Sequence, residues 1–307
     1  MIHNLASQKT LNWLNYLTLI VFFCFTSGDL QAEATDNSGK KTVRYLLGHD
    51  EVRLPDLYPQ HLLQAVIEGC GSGYQLERSE ISMLQGRAAM EIAEDPGSLS
   101  VVWTMTSSER ESLLKPVPIP IYRGLLGFRV LVVRRQDLAR FSHIRTIEQL
   151  KELRAVQGYD WPDIEILRAN ALPVDGYGTT SEMYRLLKEG FVDYFPRAVI
   201  EVDRELEVLN DDSFAVLPDI ALIYPTAGYF FTNHSDIELN TCLTQSMEKM
   251  IANGDFMTMF ERYFGQSLRR YRYAEMATIV LANPLLETTR PINRKYLDHV
   301  ATEVYKD

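Results

Sequence analysis

The sequence predicts an α/β fold built as two open sheets, and three observations carry that prediction. Short apolar runs of strand length alternate with amphipathic helical segments along most of the chain. The helical segments open on Ser, Thr or Asp and stop at Gly, so their ends are marked. With 307 residues, the chain is long enough for two modest cores.

The first element is a leader, not part of the fold. Lys9 supplies positive charge, Leu17 to Phe25 (LTLIVFFCF) is an apolar core of signal-peptide length, and Ala32-Glu33-Ala34 is a small-x-small cleavage site. The apolar run is short for a membrane span. Cys24, flanked by bulky residues, does not read as a lipoprotein cysteine. Cleavage near Ala34 and export to the periplasm are expected. The net charge of −10, which removal of Lys9, Asp29 and Glu33 changes to −9, comes with no basic run. Nucleic acid and anionic membrane are therefore poor partners.

In the mature chain, Thr42 to Gly48 reads as a strand ending in His49-Asp50-Glu51, a polar triplet that is either a cleft edge or a solvated turn. Pro59 to Gly69 and Gln85 to Glu94 read as helices. The central stretch, Val101 to Arg135 (VVWTMTSSERESLLKPVPIPIYRGLLGFRVLVVRR), reads as an apolar strand, a helix opening at Thr106 or Ser107, a Pro-punctuated connection, and a strand over Phe128 to Val133. Thr106 with Glu109, and Ser108 with Glu111, have capping-box spacing. Arg110 in the first turn opposes the helix dipole, which suggests another use for it. Further on, helices are expected after Thr146, Asp160 and Thr179, with Asp160 as an N-cap. Strands are expected at Ala155 to Gly158, at Tyr194-Phe195 and within Phe214 to Tyr224, and a helix capped by Ser235 follows. Beyond Gln266 a tail of helix and Pro-marked turns is expected to pack on the outside.

At SSER, PVPIPIY and GFRVLVVR, and again at LLKEGFVDYF and SMEKMIANGDFMTMFERYFG, the chain resembles the bacterial extracellular solute-binding proteins of family 3 over roughly residues 42 to 265. The resemblance implies the two-lobed type II periplasmic-binding-protein fold, two open α/β sheets joined by two hinge crossings. It divides the chain into a signal peptide (1–34), lobe 1 (35–126), lobe 2 (127–224), a return segment of lobe 1 (225–265) and a C-terminal extension (266–307). It also implies a cleft in which Arg110, with Ser107 and Thr106 beside it, grips a ligand carboxylate. Trp103 and Tyr122 would wall the ligand, and Asp50 would line the cleft. From the second lobe, Tyr159, Asp160, Trp161 and Arg197 would face it.

Two departures from the family pattern stand out. The family's small anion loop is Gly158-Tyr159-Asp160-Trp161 here, and the Asp that pairs with a ligand ammonium is replaced by Ala198, preceded by Arg197. Arg197 either faces Arg110 across the cleft, suiting a ligand with two acidic groups, or pairs with Glu201 one helical turn on. Trp103 is either cleft wall or core.

Cys70 and Cys242 either form a disulfide or sit as buried thiols. His49, His61, His143, His234 and His299 are scattered, so no metal or other cofactor is expected. No nucleophile-base pair is arranged by the sequence, though Asp50, Glu51 or Asp160 would be the acid or base of a dehydratase-like enzyme on this fold. The expected function is a non-catalytic, monomeric binder of a small polar or acidic ligand, amino-acid-like or a carboxylate, delivered to a transporter permease. The alternative is a sensing module for a membrane receptor.

Overall fold

The computed structural model describes residues 39–47, 57–94, 97–286 and 291–303, all within one unit, Ala34–Asp307. Asp50, with His49 and Glu51, lies outside the described residues.

Lobe 1 is built on five strands: β1 (Lys41–Tyr45), β2 (Tyr74–Arg78), β3 (Val101–Met105), β4 (Lys115–Pro116) and β10 (Gly228–Thr232), in the order β2-β1-β3-β10-β4. Every residue of β3 and of β10 is buried, which is why β3 is apolar at all positions but Thr104. β1 pairs parallel with β2 and β3, and β10 runs antiparallel to β3 and β4. Helices α1 (Tyr58–Gly69), α2 (Gln85–Glu94), α3 (Ser108–Leu113), α9 (Ile237–Asn253) and α10 (Asp255–Tyr271) flank the sheet. Leu62, Leu63, Val66 and Ile67 form the buried stripe of α1, at helical spacing. Cys70 at the end of α1 is joined by a disulfide to Cys242 of α9, with Cα atoms 5.7 Å apart. Beside that bond the helices touch at Gly69, where a β-carbon would fall 2.2 Å from the Ser246 hydroxyl.

Lobe 2 has six strands: β5 (Phe128–Arg134), β6 (Ala155–Gly158), β7 (Val174–Tyr177), β8 (Tyr194–Ala198), β9 (Phe214–Ile223) and β11 (Ala277–Val280), in the order β11-β9-β5-β8-β6-β7. Its helices are α4 (Leu138–Phe141), α5 (Ile147–Leu150), α6 (Pro162–Ala169), α7 (Thr180–Glu189) and α8 (Val202–Leu209). α5 carries the full capping box of Thr146 and Gln149, and α7 is capped by Thr179 and stopped by Gly190 at φ +84°.

Two short mid-chain segments join the sheets, 117–127 and 224–227. They run side by side: Tyr224 N–H donates to Gly127 O at 3.2 Å, and a β-carbon on Gly127 would stand 2.2 Å from Tyr224 O. Only glycine fits that approach.

The C-terminal segment departs from the expected external tail. α10 continues past residue 265 to Tyr271, and β11 then adds to lobe 2 as an edge strand parallel to β9. From there the chain returns: Ser108 of α3 donates to Leu285 O at 2.9 Å, and Ile292, Leu297 and Ala301 join the core behind lobe 1 with Leu46, Val102 and Phe231. The four-residue strand is framed by short 3-10 turns, so its apolar signal was too brief to read as an element. The caps differ in detail as well. Of the two openings expected for α3, Thr106 or Ser107, Ser107 is the cap, accepting from Arg110 N–H at 3.1 Å. Asp236, not Ser235, caps α9.

Candidate functional site

The end of β3 in lobe 1 and, in lobe 2, β8 and the residues that follow β6 face one cavity of about 470 Å³. It lies where ligands sit in open α/β folds, off the strand ends. Trp103 and Tyr122 line it from lobe 1 and the hinge, and Trp161, Arg197 and Glu201 line it from lobe 2. Both tryptophans thus wall the same space from opposite lobes, and Trp103 packs at the same time against Tyr45 and Phe230 of the core.

Four of the expected site residues line this cavity: Trp103, Tyr122, Trp161 and Arg197. Thr106, Ser107, Arg110, Tyr159 and Asp160 stand outside its lining. Thr106 donates to Glu111 at 2.5 Å, and Tyr159 is more than half exposed. Arg110 is buried, but its guanidinium is held by three oxygens of the protein. It donates to the Thr104 hydroxyl, to Met105 O at 2.9 Å and to Asp160 O of lobe 2 at 3.3 Å. None of these acceptors is a carboxylate, so burial pushes the Arg110 pKa down to about 10, partly offset by the nearby charges of Asp160, Asp163 and Glu109.

Asp160 is not the cap of α6. Trp161 occupies that position ahead of Pro162, and the Asp160 carboxylate instead accepts from Gly86 N–H, at 3.1 Å, in the first turn of α2. One lobe-2 residue therefore contacts lobe 1 twice, through its carbonyl and its carboxylate.

Arg197 does not reach across to Arg110. Its Nε donates to Glu205 at 2.8 Å, Nη2 donates to the other Glu205 oxygen, and Glu201 lies 3.2 Å away. The guanidinium is sandwiched between the rings of Trp161 and Phe195, 4.9 and 5.0 Å from their centroids. Although burial opposes its charge, Glu205 and Glu201 more than compensate and its pKa is raised. Ala198, at the position of the family's aspartate, is a fully buried strand residue opposite Arg129.

Arg129 is the residue that the sequence reading missed. It pairs with Asp163 at 2.7 Å, donates to the Tyr224 hydroxyl at 2.7 Å, and has Glu201 at 3.6 Å. Tyr224 in turn donates to Asp163, and the Tyr184 hydroxyl donates to Glu205 at 2.9 Å. An arginine one residue into the apolar run FRVLVVR was the available signal, since a buried guanidinium requires counter-charges or a full set of acceptors. The matching signal was Glu201 and Glu205, one turn apart ahead of and within α8. Burial pushes the Glu201 carboxyl up, while Arg197 and Arg129 pull it down and Glu205 and Asp163 add to the rise.

The architecture is that of the type II periplasmic binding proteins. An ancestral arginine-binding protein bound to arginine superposes with a TM-score of 0.57 at 14% identity, over 74% of this chain and 99% of that one. A histidine kinase sensor domain with similarity to periplasmic binding proteins gives 0.57 at 14%, over 74% and 98%. The VFT2 domain of Bordetella pertussis BvgS, as a double mutant, gives 0.57 at 16%, over 72% and 93%. At these identities the likeness shows the fold and no ligand. No protein-family model matches the sequence, and no curated protein sequence matches it. Among the described residues, no helix is long and apolar enough to cross a membrane.

Proposed function

We propose that the protein is an extracytoplasmic solute-binding protein that takes a small polar organic ligand, of amino-acid size, between its lobes and presents the bound state to a membrane transporter. The observation that carries this reading is the cavity walled from both lobes at once, with Trp103 on one side and Trp161 on the other. A ligand touching both walls favours the closed arrangement over the open one, and that differential contact is the mechanism of hinge closure. No chemical step is assigned to the site.

A second reading is a sensor domain that reports occupancy to a membrane receptor; the C-terminal segment, which passes to lobe 2 at β11 and back to lobe 1, adds two links between the lobes through which closure could be reported. The sensor domains among the compared structures make that role compatible with the fold. Refolded mature protein, titrated while tryptophan emission and melting temperature are followed together, tests both readings. A saturable change in both signals is expected. Silence from a folded protein across amino acids, amines and organic acids would refute small-molecule binding. Growth on the identified ligand, lost when the gene is deleted, would separate uptake from sensing.

A further inference from the structure

The lobe-2 wall of the cleft holds the guanidiniums of Arg129 and Arg197 against the carboxylates of Asp163, Glu201 and Glu205, so negative charge is in excess among them. The pairing is uneven. Asp163 has Arg129 at 2.7 Å and the Tyr224 hydroxyl, and Glu205 has two bonds from Arg197 and one from Tyr184. Glu201 shares both arginines at longer range. Its Oε2 is buried and accepts no hydrogen bond from the described residues, although Arg197 and Arg129 lie 3.2 and 3.6 Å away. Of the carboxylates in the cluster it is also the one with its side chain substantially exposed, about 31%, and it lines the cavity.

The remaining charges of the lining do not satisfy it. Toward the mouth, Arg204 pairs with Glu207 at 3.1 Å and Arg270 with Asp203 at 3.2 Å, while Arg262 is exposed on α10. Because Oε2 is enclosed beside the two guanidiniums, the exposed part of the carboxylate is Oε1, and a charged donor brought to it from the cavity makes a charge-assisted hydrogen bond that the described residues do not supply.

We propose, building on the small-molecule reading above, that Glu201 receives a cationic nitrogen of the ligand, and that the cleft therefore selects organic amines and discriminates against acids that lack one. An ammonium at Glu201 brings the cluster to equal numbers of positive and negative groups. Its organic body then lies between Trp103 and Trp161, whose rings favour both apolar contact and cations. The arginines of the wall offer no free site for a carboxylate, because Arg129 and Arg197 are already matched by Asp163 and Glu205.

The test is calorimetric titration of refolded mature protein with 2-phenylethylamine, 3-phenylpropanoate, phenylalanine, putrescine, succinate, arginine and glutamate. Binding is expected from members carrying an amine, with each amine ahead of its des-amino counterpart. In Glu201→Gln, which leaves Arg129 and Arg197 matched one to one, amine binding is expected to weaken about tenfold or more, with the melting temperature unchanged or higher. An acid without nitrogen that binds as tightly as its amine counterpart, or amine binding unchanged in Glu201→Gln, overturns the proposal and leaves small-molecule binding standing. Silence across the whole panel, from folded protein, overturns the small-molecule reading and this proposal with it.

Discussion

Arg110 and Arg197 are both buried arginines beside the same cleft, and the protein treats them in opposite ways. Arg110 is surrounded by neutral oxygens, and its pKa is lowered to about 10. Arg197 is gripped by two carboxylates and stacked between two rings, and its pKa is raised. The first is a strut that ties the end of β3 to the Asp160 carbonyl of the other lobe. The second is one member of a charge cluster that gives the cavity wall its chemistry. Burial and position at a strand end are thus not enough to identify a ligand-binding arginine; the charge of its existing partners has to be counted first.

The largest effect expected from this contrast is in Arg197→Ala, which strands Glu205 without a counter-charge and leaves Glu201 with Arg129 alone, at 3.6 Å. A loss of about 3–5 kcal/mol is expected in urea unfolding. A loss below about 1 kcal/mol would mean that the cluster is solvated and the contrast false.

Arg110→Met should cost less, about 1–3 kcal/mol, because it removes neutral hydrogen bonds and leaves Thr104 still donating to Gln85 at 2.9 Å. Equal losses in the two variants would show that carboxylate pairing adds nothing here.

The smallest effect belongs to an ion pair in water. Asp211, bonded to Lys188 and to Ser213, has its pKa lowered from 3.8 to about 2. Its contribution is present above pH 3.8 and lost as pH falls toward 2, because the unfolded state then takes up the proton first. Asp211→Asn should therefore cost under about 1 kcal/mol at pH 7 and nothing near pH 2, read as the difference in urea midpoint at the two pH values.

The same contrast explains what the sequence could disclose. Apolar runs and cap pairs determine local structure, so β3, β5, the box at Thr146 and the stop at Gly190 were legible, as were the two lobes through the family motifs. Trp103, Tyr122, Trp161 and Arg197 were suggested by their places in or beside the family motifs, with core packing and a Glu201 pairing left open for Trp103 and Arg197, and the structure sets all four along the cavity. The partners of each charge are fixed by tertiary contacts over long separations. Arg129 meets Tyr224 across 95 residues, and Gly86 meets Asp160 across 74. Nothing local to Asp160 distinguishes a cap for its own helix from a cap for a helix in the other lobe. β4 and β11 are two and four residues long, too short for any periodicity to appear.

The position of β10 has a consequence for how the molecule comes into being. In the lobe-1 sheet it lies between β3 and β4, yet it is synthesised after the whole of β5 to β9. Until Gly228–Thr232 arrives, β3 and β4 lack the neighbour they share, and Cys70 waits for Cys242, which is 172 residues away. Such long-range closure is slow. Lobe 2 must wait longer still for its last edge, β11. The chain cannot finish either half before nearly all of it has emerged, so the two lobes are completed together in one late step.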